Sequence, residues 1–128
     1  MKEPKGAAKS GEQFQQGVDQ FNAEKFFDAH ESWEAIWLHA EEPDKTFLQG
    51  ITQVTAAFHH HAQGNRDGAA SLLQKGLQKL EKFPADYRGM RLEKLREELR
   101  KWAAALGKLN HSPKMKKPKI GWVRKAPG

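Results

Sequence analysis

The stretch Phe26-Phe27-Asp28-Ala29-His30-Glu31-Ser32-Trp33-Glu34-Ala35-Ile36-Trp37 constrains this chain more than any other. Its large apolar residues recur at helical spacing, so it reads as one helix. The same helix sets His30 and the carboxylates Glu31 and Glu34 between large aromatics. Polar groups near a core cost free energy unless they are paired or bind something. This helix therefore belongs to a site or to a buried polar network.

The rest of the chain repeats the helical spacing and lacks the alternation of strands. Phe14, Val18 and Phe21 mark a first helix. Asn22 reads as the N-cap of the second, with Glu24 in its first turn and an end near Ala40. Glu41 to Asp44 forms a short link, with Asp44 as the cap of a third helix over about Lys45 to Gln63. Phe47, Ile51, Val54 and Phe58 give that helix its apolar stripe. Gly64 supplies a left-handed stop and Asn65 caps a fourth helix. The fourth carries Leu72, Leu73, Leu77 and Leu80, and Pro84 closes the region. Leu92, Leu95, Leu99, Trp102 and Leu106 define a fifth. The fold class predicted is all-α: a single-domain antiparallel bundle of about five helices with disordered termini. The expected organisation is a disordered N-terminus over 1–11, a bundle over 12–109 and a basic tail over 110–128.

Composition narrows the function. With 128 residues there is room for one domain, and 30% charged against 38% apolar residues suits a small bundle. The chain has no cysteine, which removes disulfides and thiolate metal sites. No apolar run reaches the length of a membrane span, and no apolar segment follows the N-terminal lysines as in a signal peptide. A cytoplasmic location is expected. The net charge of +6 is carried by residues 111–128, which hold six cations and no acid, leaving 16 basic and 16 acidic residues in 1–110. A neutral body argues against a nucleic-acid-binding bundle.

Asn22, the run Phe26-Phe27-Asp28-Ala29-His30-Glu31, Glu34 and Trp37 together resemble one motif of the domain of unknown function 309 family. Phe47-Leu48-Gln49-Gly50-Ile51-Thr52-Gln53 and His60, then Gly64-Asn65 and Gly68-Ala69, resemble a second. The resemblance covers about residues 14–82. It implies a compact all-α fold and no particular activity.

His30-Glu31-Ser32-Trp33-Glu34 invites comparison with the zinc protease motif, but Glu34 stands where the second histidine belongs. A di-iron bundle needs a repeated Glu-x-x-His, which is absent. What remains is a looser set. His30 and Glu34 share one helix face. Gln49, Gln53 and His60 share a face of the third helix. If the two helices pack antiparallel, these stripes meet. They would then form either a divalent-metal or small-ligand site, or a hydrogen-bonded cluster that fixes helix register. In His59-His60-His61, successive residues diverge by about 100°, so a single ion cannot be held by all three. His60 is the one expected to face the cluster. Gly50, Gly64 and Gly68 follow no strand and make no phosphate loop.

The leading expectation is thus a non-enzymatic module that binds a partner protein or a small ligand, built around His30, Glu31, Glu34, Trp37, Gln49, Gln53 and His60. The alternative is a metal-dependent hydrolase or metal-binding protein. There His30, Glu34 and His60 would hold a divalent metal and Glu31 would act as general base. The tail is expected to be solvated with no partner, or else to make weak contact with RNA, another polyanion or an anionic membrane surface. A further option has Ile120 and Trp122 fold back onto the bundle.

Overall fold

The computed structural model describes residues 5–108 and 115–123, with side chains described from residue 11 onward. Five α-helices follow in order: α1 (Lys5–Asn22), α2 (Phe26–Trp37), α3 (Asp44–Ala62), α4 (Arg66–Leu80) and α5 (Leu92–Leu106). A 3-10 turn, Tyr87–Gly89, precedes α5. Each helix packs on the next in sequence: α1 on α2, α2 on α3, α3 on α4 and α4 on α5. The fold class is all-α, as the spacing predicts.

The start of α1 departs from expectation. The helix begins at Lys5, not near Glu12. Ala7, Ala8 and Lys9 are strong helix formers, and their preference outweighs the cost of Gly6 and Gly11. The expectation for residues 1–4 falls outside the described residues.

Trp33 joins α1 to α2. It is fully buried, and its indole N–H donates to the Phe14 carbonyl at 3.1 Å. Its ring lies directly on Gly17, where a Cβ would collide with the indole. Phe14 and Phe21 flank it with ring centroids 6.1 Å away. From Phe21 the aromatic contacts pass to Phe58 of α3, and on to Trp102 of α5 at 5.2 Å. A second close approach joins α3 to α4. A Cβ on Gly76 would stand 2.6 Å from the Gly50 carbonyl oxygen, so the two backbones nearly touch.

The caps divide into local and long-range cases. Asn65 caps α4 as expected, its side-chain oxygen accepting from the Gly68 N–H at 3.0 Å. Asn22 does not cap α2. It is the last residue of α1, and Lys25 occupies the cap position with no side-chain bond. Glu24 lies before the helix with φ of 62°. Asp44 does not cap α3 either. Its carboxylate accepts from the Tyr87 hydroxyl at 2.5 Å and from Arg88 at 2.8 Å. Glu42 takes over, accepting from the Thr46 N–H at 2.8 Å, and its bonds to the Thr46 hydroxyl and N–H lower the Glu42 pKa. At the other end of α4, the buried Arg96 guanidinium donates to the carbonyls of Leu80 (2.8 Å) and Phe83 (2.6 Å). Carbonyls at and beyond a helix end have no helical partner of their own.

The tail is not free. Residues 115–123 lie against the bundle, and Ile120 is buried. Asn22 grips the Ile120 backbone from both sides: its amide donates to the Ile120 carbonyl at 3.0 Å and its oxygen accepts the Ile120 N–H at 2.7 Å. Trp122 forms an isolated antiparallel bridge with Met90, through Arg91 N–H to Gly121 O (2.8 Å) and Val123 N–H to Gly89 O (2.7 Å). Trp102 donates to the Lys116 carbonyl at 3.1 Å. The expectation of a solvated tail is thereby replaced, over 115–123, by the fold-back of Ile120 and Trp122. Residues 109–114 and 124–128 lie outside the described residues.

Two measurements check this picture. Ile120→Ala should lower the unfolding free energy by about 2 kcal/mol, the low end for deleting a buried branched side chain. A tail that did not pack would show no change in chemical denaturation. The second concerns Tyr87, the only tyrosine, whose titration is therefore unambiguous. Burial, then the hydrogen bond to Asp44, raises its pKa from 10.0 to about 12. A group with a raised folded pKa contributes stability below its unfolded value and loses it as pH climbs. The loss should fall between pH 10.0 and about 12. Spectrophotometric titration should give a midpoint near the upper value, and Asp44→Asn should bring it down.

Candidate functional site

The inward face of α2 comprises Phe26, Ala29, Trp33 and Ile36, all buried. Ser32 joins them by donating to Gln20 of α1 at 2.7 Å. With these residues turned to the core, the opposite stripe must face out. It carries Phe27, Glu31, Glu34 and Leu38, which recur at i, i+4, i+7 and i+11 on one helix face. Phe27 is 51% exposed and Leu38 is 55% exposed. Two large apolar side chains thus bracket two carboxylates on the surface.

His30 sits at the border of that stripe. Its Nε2 lies 3.1 Å from a Glu34 carboxylate oxygen. Its Nδ1 is buried and has no hydrogen-bond partner. His30 lines a small pocket of about 190 Å³ with Phe27 of α2 and with Ala56, His59 and His60 of α3. Phe27 stacks near His30 with a centroid distance of 6.2 Å and packs closer to His59, at 5.2 Å.

The polar residues anticipated for a single cluster go separate ways. Gln53 accepts from Lys79 of α4 at 2.9 Å, which draws it away from His30. His60 Nδ1 lies 3.1 Å from the Asn65 side-chain nitrogen at the start of α4. Gln49 is half-buried on α3, and Glu31 is exposed. Trp37 packs against the core, with an indole nitrogen that is buried and without a partner. So His30 and Glu34 meet, His30 and His60 share a pocket wall, and no closed His/Glu/Gln network forms. Among the described residues, no three His, Asp or Glu side chains gather closely enough to hold a metal ion. The set His30, Glu34 and His60 is therefore not assembled as a ligand shell.

Phe27 and His59 stand outside the cluster that the sequence names. Phe27, an aromatic whose spacing fits either core or a pocket wall, lies on the Glu31–Leu38 stripe and not on the Trp33 stripe. Its spacing holds the signal. His59 reads as solvent-facing or packed at the helix edge, and the structure packs it on Phe27. His61 stands apart, edge-on to Trp102 at 5.2 Å. Burial, then the charges of Lys117 and Arg66, lowers its pKa. A larger cleft, of about 930 Å³, lies between α5 and the docked tail and shares no residue with the small pocket.

Fold and site together define a small helical-bundle protein with a shallow aromatic–imidazole pocket and, among the described residues, no assembled metal centre. The model of the family described as Domain of unknown function (DUF309) matches residues 14–72. That segment includes all of α2 and α3, hence the whole small pocket. A protein of Aquifex aeolicus (strain VF5), described as uncharacterized, is 26% identical over 95 residues. The alignment covers 73% of this chain and 28% of that protein, so the chain spans less than a third of that relative's length. No helix among the described residues is long and apolar enough to cross a membrane.

His30 and Glu34 are both partly open to solvent, with side-chain exposures of 28% and 47%. A pair of that kind contributes little. His30→Ala and Glu34→Ala should each shift the unfolding free energy by less than about 1 kcal/mol, because neither leaves a second buried partner stranded. Losses of several kcal/mol in urea denaturation would instead indicate a buried network.

Proposed function

We propose that this chain is a non-enzymatic module that recognises a protein partner through the outward face of α2 and the adjoining pocket against α3. The observation that carries this reading is the pocket of about 190 Å³ beside an exposed phenylalanine. Ligand pockets for small molecules run from about 300 to 1,000 Å³. The smaller volume suits one side chain of a partner, held as an anchor in an aromatic setting. Phe27 and Ala56 offer apolar contact, and the imidazoles of His30, His59 and His60 offer polar contact at the rim. Asp28, Glu31 and Glu34 give the surrounding α2 surface an acidic character. The matching partner is an amphipathic helix with an aliphatic or aromatic anchor flanked by Lys or Arg.

The metal-dependent alternative, with Glu31 as general base, gains no such support. His30 Nε2 is engaged by Glu34 and His60 Nδ1 by Asn65. The two readings separate in one experiment. Nitrogen-labelled protein is titrated by NMR with a lysine-flanked helical peptide carrying a leucine anchor, with its glutamate-flanked counterpart, and with Zn²⁺. The basic peptide should shift the amides around Phe27, His30, Ala56 and His59, and the acidic one should not. Phe27→Ala should weaken the basic peptide at least about tenfold, the loss of about 1.4 kcal/mol expected of an anchor, without unfolding the protein. If Zn²⁺ shifts His30 and His60 while both peptides leave the spectrum unchanged, the partner-binding reading is wrong.

A further inference from the structure

The docked tail creates a feature that neither segment has alone. The cleft of about 930 Å³ has one wall from α5 and one from the tail. On the α5 side stand Arg91, Lys94 and Lys101, and on the tail side Lys116, Lys117 and Lys119. Lys94 to Lys101 spans about 10 Å of helix at 1.5 Å per residue. Lys116 to Lys119, in extended chain, spans about 10 Å as well. Two cationic rows of equal length thus border one concavity.

Several of these charges are already placed. Lys119 donates to the Asn22 carbonyl at 2.6 Å and stands 3.6 Å from Glu24. Lys117 lies 4.9 Å over the Trp102 ring. Lys94, Lys101 and Lys116 make no ion pair among the described residues. Trp122, at the mouth, keeps 40% of its surface exposed. Among all this positive charge, Glu98 lines the cleft with its Oε2 buried and without a hydrogen bond. A buried acceptor left without a donor costs free energy that a bound donor would recover.

We propose that this cleft binds single-stranded nucleic acid, with phosphates on the two lysine rows, a base stacked on Trp122, and Glu98 accepting a hydrogen bond from a base amino group. Cations that track a backbone beside an exposed aromatic are the working parts of single-strand recognition. A carboxylate is a fitting acceptor for the cytosine amino group, and uracil has no donor there. The concave shape favours a strand over a lipid surface, because a flat bilayer does not enter a cleft. This site is independent of the α2 face.

The test uses the full chain and fluorescence anisotropy with short labelled oligocytidylate and oligouridylate across a salt series. Binding should weaken as salt rises. Lys94 and Lys101 lie on the solvent side of α5, so the double variant Lys94→Ala/Lys101→Ala should fold normally. It should also reduce the slope of log affinity against log salt by about 1.4, at about 0.7 for each phosphate no longer neutralised. Oligocytidylate should bind at least about fivefold tighter than oligouridylate, the low end for one good base contact, and Glu98→Ala should erase the difference. The proposal is overturned if the double variant keeps the wild-type slope, or if the two oligonucleotides bind equally. It is likewise overturned if vesicles of about 30% phosphatidylserine are bound at salt where neither oligonucleotide is.

Discussion

The seat of the Trp33 indole on Gly17 governs the arrangement of this molecule. A tryptophan buries more area than most side chains, but it brings an N–H that must be paired. The Phe14 carbonyl meets that need at 3.1 Å, and the missing Cβ of Gly17 lets the ring lie against α1. The indole therefore fixes the rotation of α2 about its own axis. With Phe26, Ala29, Trp33 and Ile36 turned inward, Phe27, Glu31, Glu34 and Leu38 have no choice but to face out. The candidate partner surface is the geometric complement of the core contact.

A second constraint comes from Asn22. An asparagine at a helix end satisfies free N–H groups of the following helix when nothing stronger competes. Here a backbone unit of the tail competes and wins, because Ile120 offers both a donor and an acceptor to one amide. The Ile120 side chain is buried in the same contact. The tail backbone is thereby satisfied even though it adds no strand to the fold. That docking puts Lys116 and Lys117 across from Lys94 and Lys101. The cleft is a consequence of the Asn22 clamp.

The helices are legible in the sequence because their signals are local. Apolar residues at three and four spacings, Gly64 with φ of 81°, and Asn65 bonding three residues ahead all act within one or two turns. What stays hidden depends on partners far along the chain. Asn22 finds Ile120 98 residues away, and Asp44 finds Tyr87 43 residues away. A side-chain amide or carboxylate looks the same in sequence whether it caps the next helix or is taken by a distant donor. The polar cluster illustrates the same limit. Periodicity correctly pairs His30 with Glu34 on one face. It says nothing of Lys79, which takes Gln53 toward α4, or of Asn65, which engages His60. The residues of α2 are readable in sequence, but the division between its inward and outward faces needs the Trp33–Gly17 contact.

Charge shows why counting along the chain misleads about surfaces. Residues 1–110 sum to neutrality, which argues against a polyanion site in the body. Yet the sum conceals a segregation in space. Asp28, Glu31 and Glu34 lie together on α2, and Lys94 and Lys101 lie on α5 beside the tail cations. A local field depends on the charges within about a Debye length, near 8 Å at physiological salt, and not on the total. Packing decides which charges fall within that distance. In this protein it places the acids of α2 beside the pocket lined by Phe27 and Ala56 and the cations of α5 across a cleft from those of the tail. Acids and cations are thereby separated in space, the former on α2 and the latter along α5 and the docked tail.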